Sequence, residues 1–491
     1  MAKIGVIGAG FSGIAAATVL ADEGHLVDVY EKNEGPGGRA RKFEVDGFLF
    51  DMGPSWYWMP DIFEQYFNRF GKKVSDYYNL VRLDPSYRVY FGKDDFIEVP
   101  ASLEELYDVF EHLEPGSSNK LKKFLKQAEY KYRVGISEFV WKPSLSVLEF
   151  VDFRILKSAL GLQMFSSISK EIRSLFKHPK IIKLLEFPVL FLGATPQNTP
   201  ALYSLMNYAD LALGTWYPMG GMHKIIEGMV SLAEEKGVKF HYNMPVEEVL
   251  LEKNTLRYLI ANEEKIEVDG VVAGADYHHI EQQVIPEAYR QYDSSYWDKR
   301  TMAPSSLLFY LGLDCKVPTL KHHNLFFDRD FELHAKEIYT EPSWPTDPLF
   351  YVCSPSKTDP SVAPEGGENI FLLMPLAPNL KDNQELREKY FEIMVERLKE
   401  LIDFNIVPHI VYKRSYCVND FIEDYNAFKG NAYGLANTLM QTAFLKPKIK
   451  NKKIKNLYFT GQLTSPGPGV PPSLISGQMV AMEMIKELKN G

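Results

Sequence analysis

The sequence predicts an α/β protein in which a dinucleotide-binding unit, assembled from separated segments, carries a second part with a mixed sheet and a helical region. Three observations carry that expectation. The chain opens as strand, glycine-rich turn, helix and strand. It closes in the same texture, with an apolar strand at 457–460, a Gly/Pro turn and a helix over 473–488. A segment of like character near 220–273 interrupts long stretches of different composition. With 491 residues, 45% of them hydrophobic, the chain has material for two to four units of roughly 150 residues each.

In order along the chain, Ile4-Gly5-Val6-Ile7 is a short apolar run, and residues 14–20 are the small apolar residues of a buried helix. Residues 26–30 alternate and end at Glu31, completing a βαβ unit. Turn-rich patches follow at 33–41 and 51–60. Residues 102–213 read as mainly helical, rich in Lys, Leu and Phe. Residues 222–236 place Ile225, Ile226, Met229 and Leu232 on one side of an amphipathic helix. Strands are expected over 238–242, 265–273 and 306–311, and a long polar helix over 384–401. No internal repeat or low-complexity linker divides the chain.

The sharpest motif is Gly8-Ala9-Gly10-Phe11-Ser12-Gly13, with Glu31 standing 18 positions beyond Gly13. Gly8 permits a tight turn, Gly10 lets backbone approach a pyrophosphate, and Gly13 lets helix and strand pack closely. The helix N-terminus presents free N–H groups to phosphate, and an acid at the tip of the second strand reaches a ribose hydroxyl. A chance glycine turn would lack this alignment of strand, helix and acid. Directly behind it come Pro36-Gly37-Gly38-Arg39-Ala40 and Phe50-Asp51-Met52-Gly53-Pro54-Ser55. Adjacent glycines let the chain lie against a cofactor, and Arg39 offers fixed donors to phosphate. The fingerprint by itself leaves NAD and FAD open.

Composition closes off other classes. Lys and Arg number 55 against 64 Asp and Glu, a net charge of −9, so no broad cationic surface for nucleic acid is expected. Cys315, Cys353 and Cys417 lie far apart without a CxxC, which argues against disulfides and structural zinc and fits a reducing compartment. A first strand starting at Lys3 leaves no room for a signal peptide, and no apolar run approaches the ~20 residues of a membrane-spanning helix. The adjacent pairs His278-His279 and His322-His323 are expected to point apart, and no metal site is expected. SxxK matches at Ser167, Ser174 and Ser354 lack their companion motifs. Six lysines between Lys446 and Lys455 read as a solvated loop.

The run from Glu31 through Gly37-Gly38-Arg39-Ala40 to Asp51-Met52-Gly53-Pro54-Ser55 resembles the flavin superfamily of amine oxidases, protoporphyrinogen oxidases and carotenoid desaturases. Trp216-Tyr217-Pro218-Met219-Gly220-Gly221-Met222 is similar to the middle signature of bacterial phytoene-desaturase-type carotenoid desaturases. So is the closing run from Asn456-Leu457-Tyr458-Phe459-Thr460-Gly461 to Pro466-Gly467-Pro468-Gly469-Val470-Pro471. The likeness spans essentially the whole chain and implies a discontinuous Rossmann-like FAD-binding domain from 1–85, 216–280 and 441–491. It further implies a substrate-binding domain from 86–135 and 281–440, and a helical, membrane-associating region over 136–215. By the same resemblance Gly8, Gly10, Phe11, Ser12, Gly13, Glu31, Lys32, Gly38 and Arg39 hold the ADP half of FAD, and Val246 holds the adenine edge through its backbone. Gly461 and Gln462 meet the pyrophosphate and ribityl chain. Met52, Gly53, Pro54, Ser55, Gly469 and Val470 lie beside the isoalloxazine. Two positions depart from the family pattern: Gln462, where many members carry an acid, and Pro471-Pro472, where a small residue usually follows the first proline.

The activity implied is FAD-dependent desaturation of an acyclic C40 carotenoid, phytoene toward lycopene, by hydride transfer to flavin N5 with proton loss. A quinone or oxygen would take the electrons. The alternatives are 3,4-desaturation of a 1-hydroxylated carotenoid, flavin oxidation of an amine or porphyrinogen, and a flavin-free lipid carrier. No residue declares itself as catalytic base. Trp56, Tyr57, Trp58 and Met59 follow the flavin-proximal turn and are candidates for an apolar tunnel, with plain core as the alternative. Phe139, Val140, Leu145, Leu148, Phe150, Phe153, Ile155 and Leu156, interleaved with Lys157, Lys170, Arg173, Lys177, Lys180 and Lys183, suit interfacial helices. The same pattern suits a subdomain packed on its own core. With the resemblance, the expected place is the cytoplasm, peripherally on the membrane.

Overall fold

Five short strands from distant parts of the chain meet in one parallel sheet in the computed structural model, which describes residues 1–136, 140–143, 166–442 and 445–490. The opening unit is β1 (Lys3–Ile7), α1 (Phe11–Asp22) and β2 (Leu26–Tyr30). Helix α2 (His223–Glu235) leads to β3 (Lys239–His241), followed by β4 (Gly270–Ala273), β5 (Leu457–Phe459) and α3 (Val470–Asn490). The strand order is β5-β4-β1-β2-β3. Parallel strands need cover on both faces. The two-residue period of β1 decides which cover each side chain meets. Ile4 and Val6 pack with α1, α2 and α3, while Ile7 packs under an antiparallel meander of Val246–Glu252, Thr255–Ala261 and Glu264–Glu267.

The single strand expected over 265–273 is in fact two. Glu264–Glu267 closes the meander and β4 lies in the parallel sheet. The apolar alternation runs through the turn between them, so periodicity hides the break. Asp269 in that turn accepts from the Lys3 N–H at 2.8 Å and anchors it to β1.

Helix α1 is built of small residues because α3 crosses it at backbone distance. A Cβ on Gly477 would stand 2.1 Å from the Ser12 carbonyl oxygen, and one on Gly13 would stand 2.0 Å from that of Gly8.

A second, mixed sheet runs in the order Ile410–Tyr416, Ser305–Leu313, Glu368–Leu376, Phe350–Cys353, His323–Phe326, Tyr87–Gly92, Asp95–Val99. Ser305–Leu313 is buried throughout. Leu307, Phe309, Leu311 and Leu313 face the helix Gln384–Ile402, and Leu308 and Tyr310 face the nucleotide side. The fold is therefore α/β, a discontinuous Rossmann-like unit joined to a mixed sheet.

Of the residues suited to a membrane surface, Phe139, Leu145, Leu148, Phe150, Phe153, Ile155, Leu156 and Lys157 lie outside the described residues. In the described part of that region Ile168, Ile172, Phe176, Ile181, Leu184 and Leu185 are fully buried in the core. Arg173 pairs with Glu186, and Lys180 with Asp95. This described portion therefore packs into the protein's main core. Among the described residues no helix is long and apolar enough to cross a membrane.

The lysine run also needs correction. Lys446 is 2% exposed, and Ile449, Asn451 and Ile454 are buried between the solvated lysines.

Close approach at Gly477 has a direct consequence. Gly477→Val should cost about 3 kcal/mol or more in denaturant unfolding, or leave the protein insoluble, because the obstacle is backbone and cannot move aside. Gly35→Ala, where an added Cβ meets nothing, should leave the midpoint unchanged.

Candidate cofactor and active site

At the end of β1, Gly8 adopts φ +96°, which glycine alone takes without strain. Gly10 begins α1 in extended backbone, and no side chain caps that helix. Its first N–H groups are therefore open to an anion. A Cβ on Gly10 would meet nothing within 4 Å, whereas Phe11 and Ser12 are buried behind it. Glu31, at the tip of β2, is 4% exposed. Its carboxylate accepts from the Ala9 N–H at 2.8 Å and from the Asn33 N–H and Nδ2 at 3.0 and 2.9 Å. These bonds hold the acid at the mouth of the loop, and Oε2, which accepts only the Ala9 bond, keeps a second lone pair for a hydroxyl donor. The Met244 N–H donates to the Glu31 carbonyl at 2.8 Å, which brings Val246 alongside that tip. Lys32 turns away and donates to the Glu423 carbonyl at 2.6 Å.

The Gly37 N–H donates to the Ala9 carbonyl at 2.7 Å and folds Gly38-Arg39 back over Gly10. Arg39 is then clamped. It donates to the Asn431 carbonyl at 3.2 Å and lies over the Tyr425 ring at 5.3 Å. With its amide oxygen turned toward the guanidinium, Gln462 accepts from both terminal nitrogens at 3.1 and 3.0 Å. The Arg39 Nε is buried without a hydrogen-bond partner among the described residues. Burial lowers its pKa, and the charge of Asp276 works against that. Gly461, at φ +104°, places its Cβ direction 3.2 Å from Ser12 Oγ, on the same loop. An uncapped helix, open space at Gly10, a positioned acid and an orphaned guanidinium N–H fit the two phosphates and ribose of FAD.

Asp51 ends the strand Phe48–Asp51 and caps α2, accepting from the Met222 N–H at 2.7 Å and the His223 N–H at 2.9 Å. The middle glycine motif is thereby docked on the turn that follows Asp51. Burial pushes the Asp51 pKa up to about 6 against the pull of those two N–H groups. Gly53 lies on Arg39, where a Cβ would stand 2.3 Å from the Arg39 carbonyl oxygen. The Tyr310 hydroxyl donates to the Met52 carbonyl at 2.8 Å and ties the turn to the second sheet. Met52 is buried; Gly53, Pro54 and Ser55 are partly open. Gly469 and Val470 stand where α3 begins.

Beyond Ser55 the four tunnel candidates part company. Trp56 stacks on His323, with centroids 4.1 Å apart and planes within 10°, and Trp58 lies 5.2 Å from Trp56. Tyr57 is fully buried against Phe63 and bonds the Tyr78 hydroxyl at 2.9 Å. Met59 is buried at the start of the helix Pro60–Asn68.

The expectation that His322 and His323 point apart is overturned. Their ring centroids are 4.4 Å apart, and their ring nitrogens and the Cys353 sulfur gather within 4.8 Å. His322 lies one residue before its strand, so the alternation of a pleated strand does not yet apply to it. His323 Nδ1 bonds the Tyr351 hydroxyl at 2.6 Å, Tyr351 donates to Ser55 Oγ at 3.1 Å, and His322 Nδ1 bonds Thr358 Oγ1 at 2.7 Å. Both Nε2 atoms are buried without a hydrogen-bond partner among the described residues. Burial lowers both pKa values, that of His322 to about 3, so both rings are neutral. A cavity of about 20 Å³, room for one water, opens between Ser55, Tyr217, His322 and Cys353.

Tyr351, Tyr425 and Asn431 carry no motif and were not singled out from the sequence. Each reaches the site only through tertiary pairing, and no local spacing signals it.

Two outcomes follow. Gly10→Val should leave unfolding of the cofactor-free protein unchanged, since its side chain enters open space, while flavin titration shows affinity down about tenfold or more. His322 stays neutral in the fold but takes a proton when unfolded below its ordinary pKa, so it contributes stability that is lost as pH falls from about 6.5 toward 3. His322→Gln should therefore flatten the acid limb by up to about 1.4 kcal/mol per pH unit between about pH 6 and 4, read by denaturant melts.

Comparison with known proteins agrees with this geometry. Residues 11–485 match the family of flavin containing amine oxidoreductases. The chain is 42% identical over 484 residues to a carotenoid 3,4-desaturase of Haloarcula japonica, covering 98% of each. It is 32% identical over 490 residues to a zeta-carotene-forming phytoene desaturase of Myxococcus xanthus, covering 98% of this chain and 94% of that one. It is 33% identical over an alignment of 502 positions, covering 100% of each chain, to a 4,4'-diapophytoene desaturase of Staphylococcus aureus. Among solved structures, an oxidoreductase of Methanosarcina mazei superimposes with a TM-score of 0.63 at 18% identity, covering 98% of this chain and 100% of that one. Cyclohexylamine oxidase of Brevibacterium oxydans does so at 0.61 and 14%, covering 99% of each. The chain belongs to the flavin-containing amine oxidoreductase family, in its carotenoid desaturase branch, and is an FAD-dependent oxidoreductase.

Proposed function

We propose that the protein desaturates an acyclic carotenoid next to a hydroxylated end, at the 3,4 bond, with FAD lying from Glu31 and Gly10 past Arg39 and Gln462 to Met52–Ser55 and Gly469-Val470. The observation that carries this is the buried polar cluster directly behind Ser55. His322, whose Nε2 is unpartnered, borders a space the size of one hydroxyl or water, and His323, whose Nε2 is likewise unpartnered, packs on the His322 ring. A purely hydrocarbon end would leave those acceptors unmet, which is costly in a buried site. Only C2 separates the hydroxylated C1 from the 3,4 bond, so a polar group held close to the flavin-proximal turn presents that bond to the ring. The higher identity to the Haloarcula enzyme supports the same regiochemistry.

In this reading the neutral His322 accepts the substrate hydroxyl, His323 packs on its ring, and the Tyr351–Ser55 bond fixes the tautomer of His323. Trp56, held by its stack on His323, forms the apolar wall against which the chain lies. The aromatic packing around it excludes water. FAD, when bound, supplies the hydride acceptor at N5. The chain would draw its substrate from a bilayer and pass electrons to a quinone or to oxygen.

A second reading, phytoene toward lycopene, is favoured by the relatives at 32% and 33% that carry phytoene and diapophytoene desaturase names. The test is purified protein with FAD and a quinone on liposomes loaded with phytoene or with a 1-hydroxylated acyclic carotenoid, followed by absorption of the extracted pigment. We expect a red shift with the hydroxylated substrate alone, lost in His322→Leu. Structured visible bands from phytoene would move the assignment to the second reading. No change with either, from protein that holds FAD, would overturn both.

A further inference from the structure

A buried cation stands behind the loop that leads into α3. Lys446 is 2% exposed, and its Nζ donates to Asn437 Oδ1 at 2.6 Å. Among the described residues no carboxylate pairs with it. The same nitrogen lies 2.5 Å from where a Cβ on Gly467 would stand, so it is pressed against the Gly467 backbone. A lysine that only fills a core needs a carboxylate or several oxygens around its three donors. One amide oxygen is not that cage, and burial pushes the Lys446 pKa down to about 7.

The position of this charge is specific. The path that fits the dinucleotide runs from Glu31 past Gly10 to Gly461, which abuts Ser12. Gln462 there bonds Arg39, and Gly434 packs on Gln462. The segment from Asn431 then follows the loop to Asn437, where Lys446 waits behind Gly467. Two buried cations, Arg39 and Lys446, therefore flank the two ends of the loop over 461–467. Arg39 stands at the phosphate end and Lys446 at the end where the ring would lie.

We propose that Lys446 supplies the positive charge that holds the reduced flavin as an anion. The inference rests on the FAD placement proposed above. Hydride transfer breaks a substrate C–H bond and forms N5–H with both electrons. The neighbouring carbon would lose a proton to water as the C=C bond forms, and one negative charge would be left over N1 and the C2 carbonyl. A cation in a dry, low-dielectric setting stabilises that charge across several ångströms, where a solvated lysine would not. Lys446 acts through the field it places behind Gly467 and touches no reacting atom.

The test uses the FAD-loaded protein and sulfite, which adds at N5 and leaves the same negative charge on the ring. Lys446→Met should still take up FAD but bind sulfite at least tenfold more weakly. Its two-electron midpoint potential should fall by about 30 mV, the equivalent of that factor. Lys446→Arg should stay within about threefold of the unmodified protein. The unmodified protein, photoreduced, should show the anionic reduced flavin down to about pH 6, a readout that needs no variant. A neutral reduced flavin there, or a Met variant with unchanged sulfite affinity and potential, would overturn the role of Lys446 while leaving the FAD placement intact. Failure of the unmodified protein to bind FAD would overturn the placement and this inference together.

Discussion

The contact between α3 and α1 at Gly477 is the constraint from which the rest of the site follows. Backbone of the last helix lies against the Ser12 carbonyl, at a distance that forbids any side chain. Only that approach brings β5 beside β4 and sets Gly461 against the opening glycine loop. It also places the start of α3, with Gly469 and Val470, over the same end of the sheet. A dinucleotide longer than its ADP half needs a floor that continues past the first loop, and this packing provides it. The glycines at 8, 10 and 13 would otherwise make a phosphate site with nothing beyond it.

A second junction turns that floor into an active site. The Asp51 carboxylate caps α2, Gly53 rests on Arg39, and Tyr310 bonds the Met52 carbonyl. Three chain segments far apart in sequence are thereby fixed around one turn. Each bond joins a buried polar group to a backbone partner, the arrangement that makes burial tolerable and geometry unique. The turn can present its open residues, Gly53 to Ser55, because its anchors are buried.

The electrostatics divide along the cofactor path. At the phosphate end, Arg39 is charged and hydrogen-bonded by neutral partners, Gln462 and Asn431, with the charge of Asp276 acting on it without a direct hydrogen bond. An acid at 462 would have neutralised it, which gives the departure from the family pattern a physical sense. Behind Ser55 the opposite holds. His322 and His323 are neutral and buried, able to accept a hydrogen bond without carrying charge into an apolar channel. A charged guanidinium and a neutral imidazole pair thus mark the two ends of the proposed site.

The sequence by itself determined the βαβ opening, the spacing of Glu31 and the return of strand and helix at the C-terminus. These depend on local periodicity and on glycine's unique backbone freedom, both of which are written residue by residue. It also carried the motif order that resembles the flavin oxidases. It could not show that 265–273 divides between two sheets, because the alternation is the same on either side of the turn at Asp269. Nor could it show that His322 and His323 converge, or that Lys446 alone in a lysine-rich run is buried. Those outcomes were decided by tertiary structure, since burial and partnership are properties of what packs against a residue, and no local period records it.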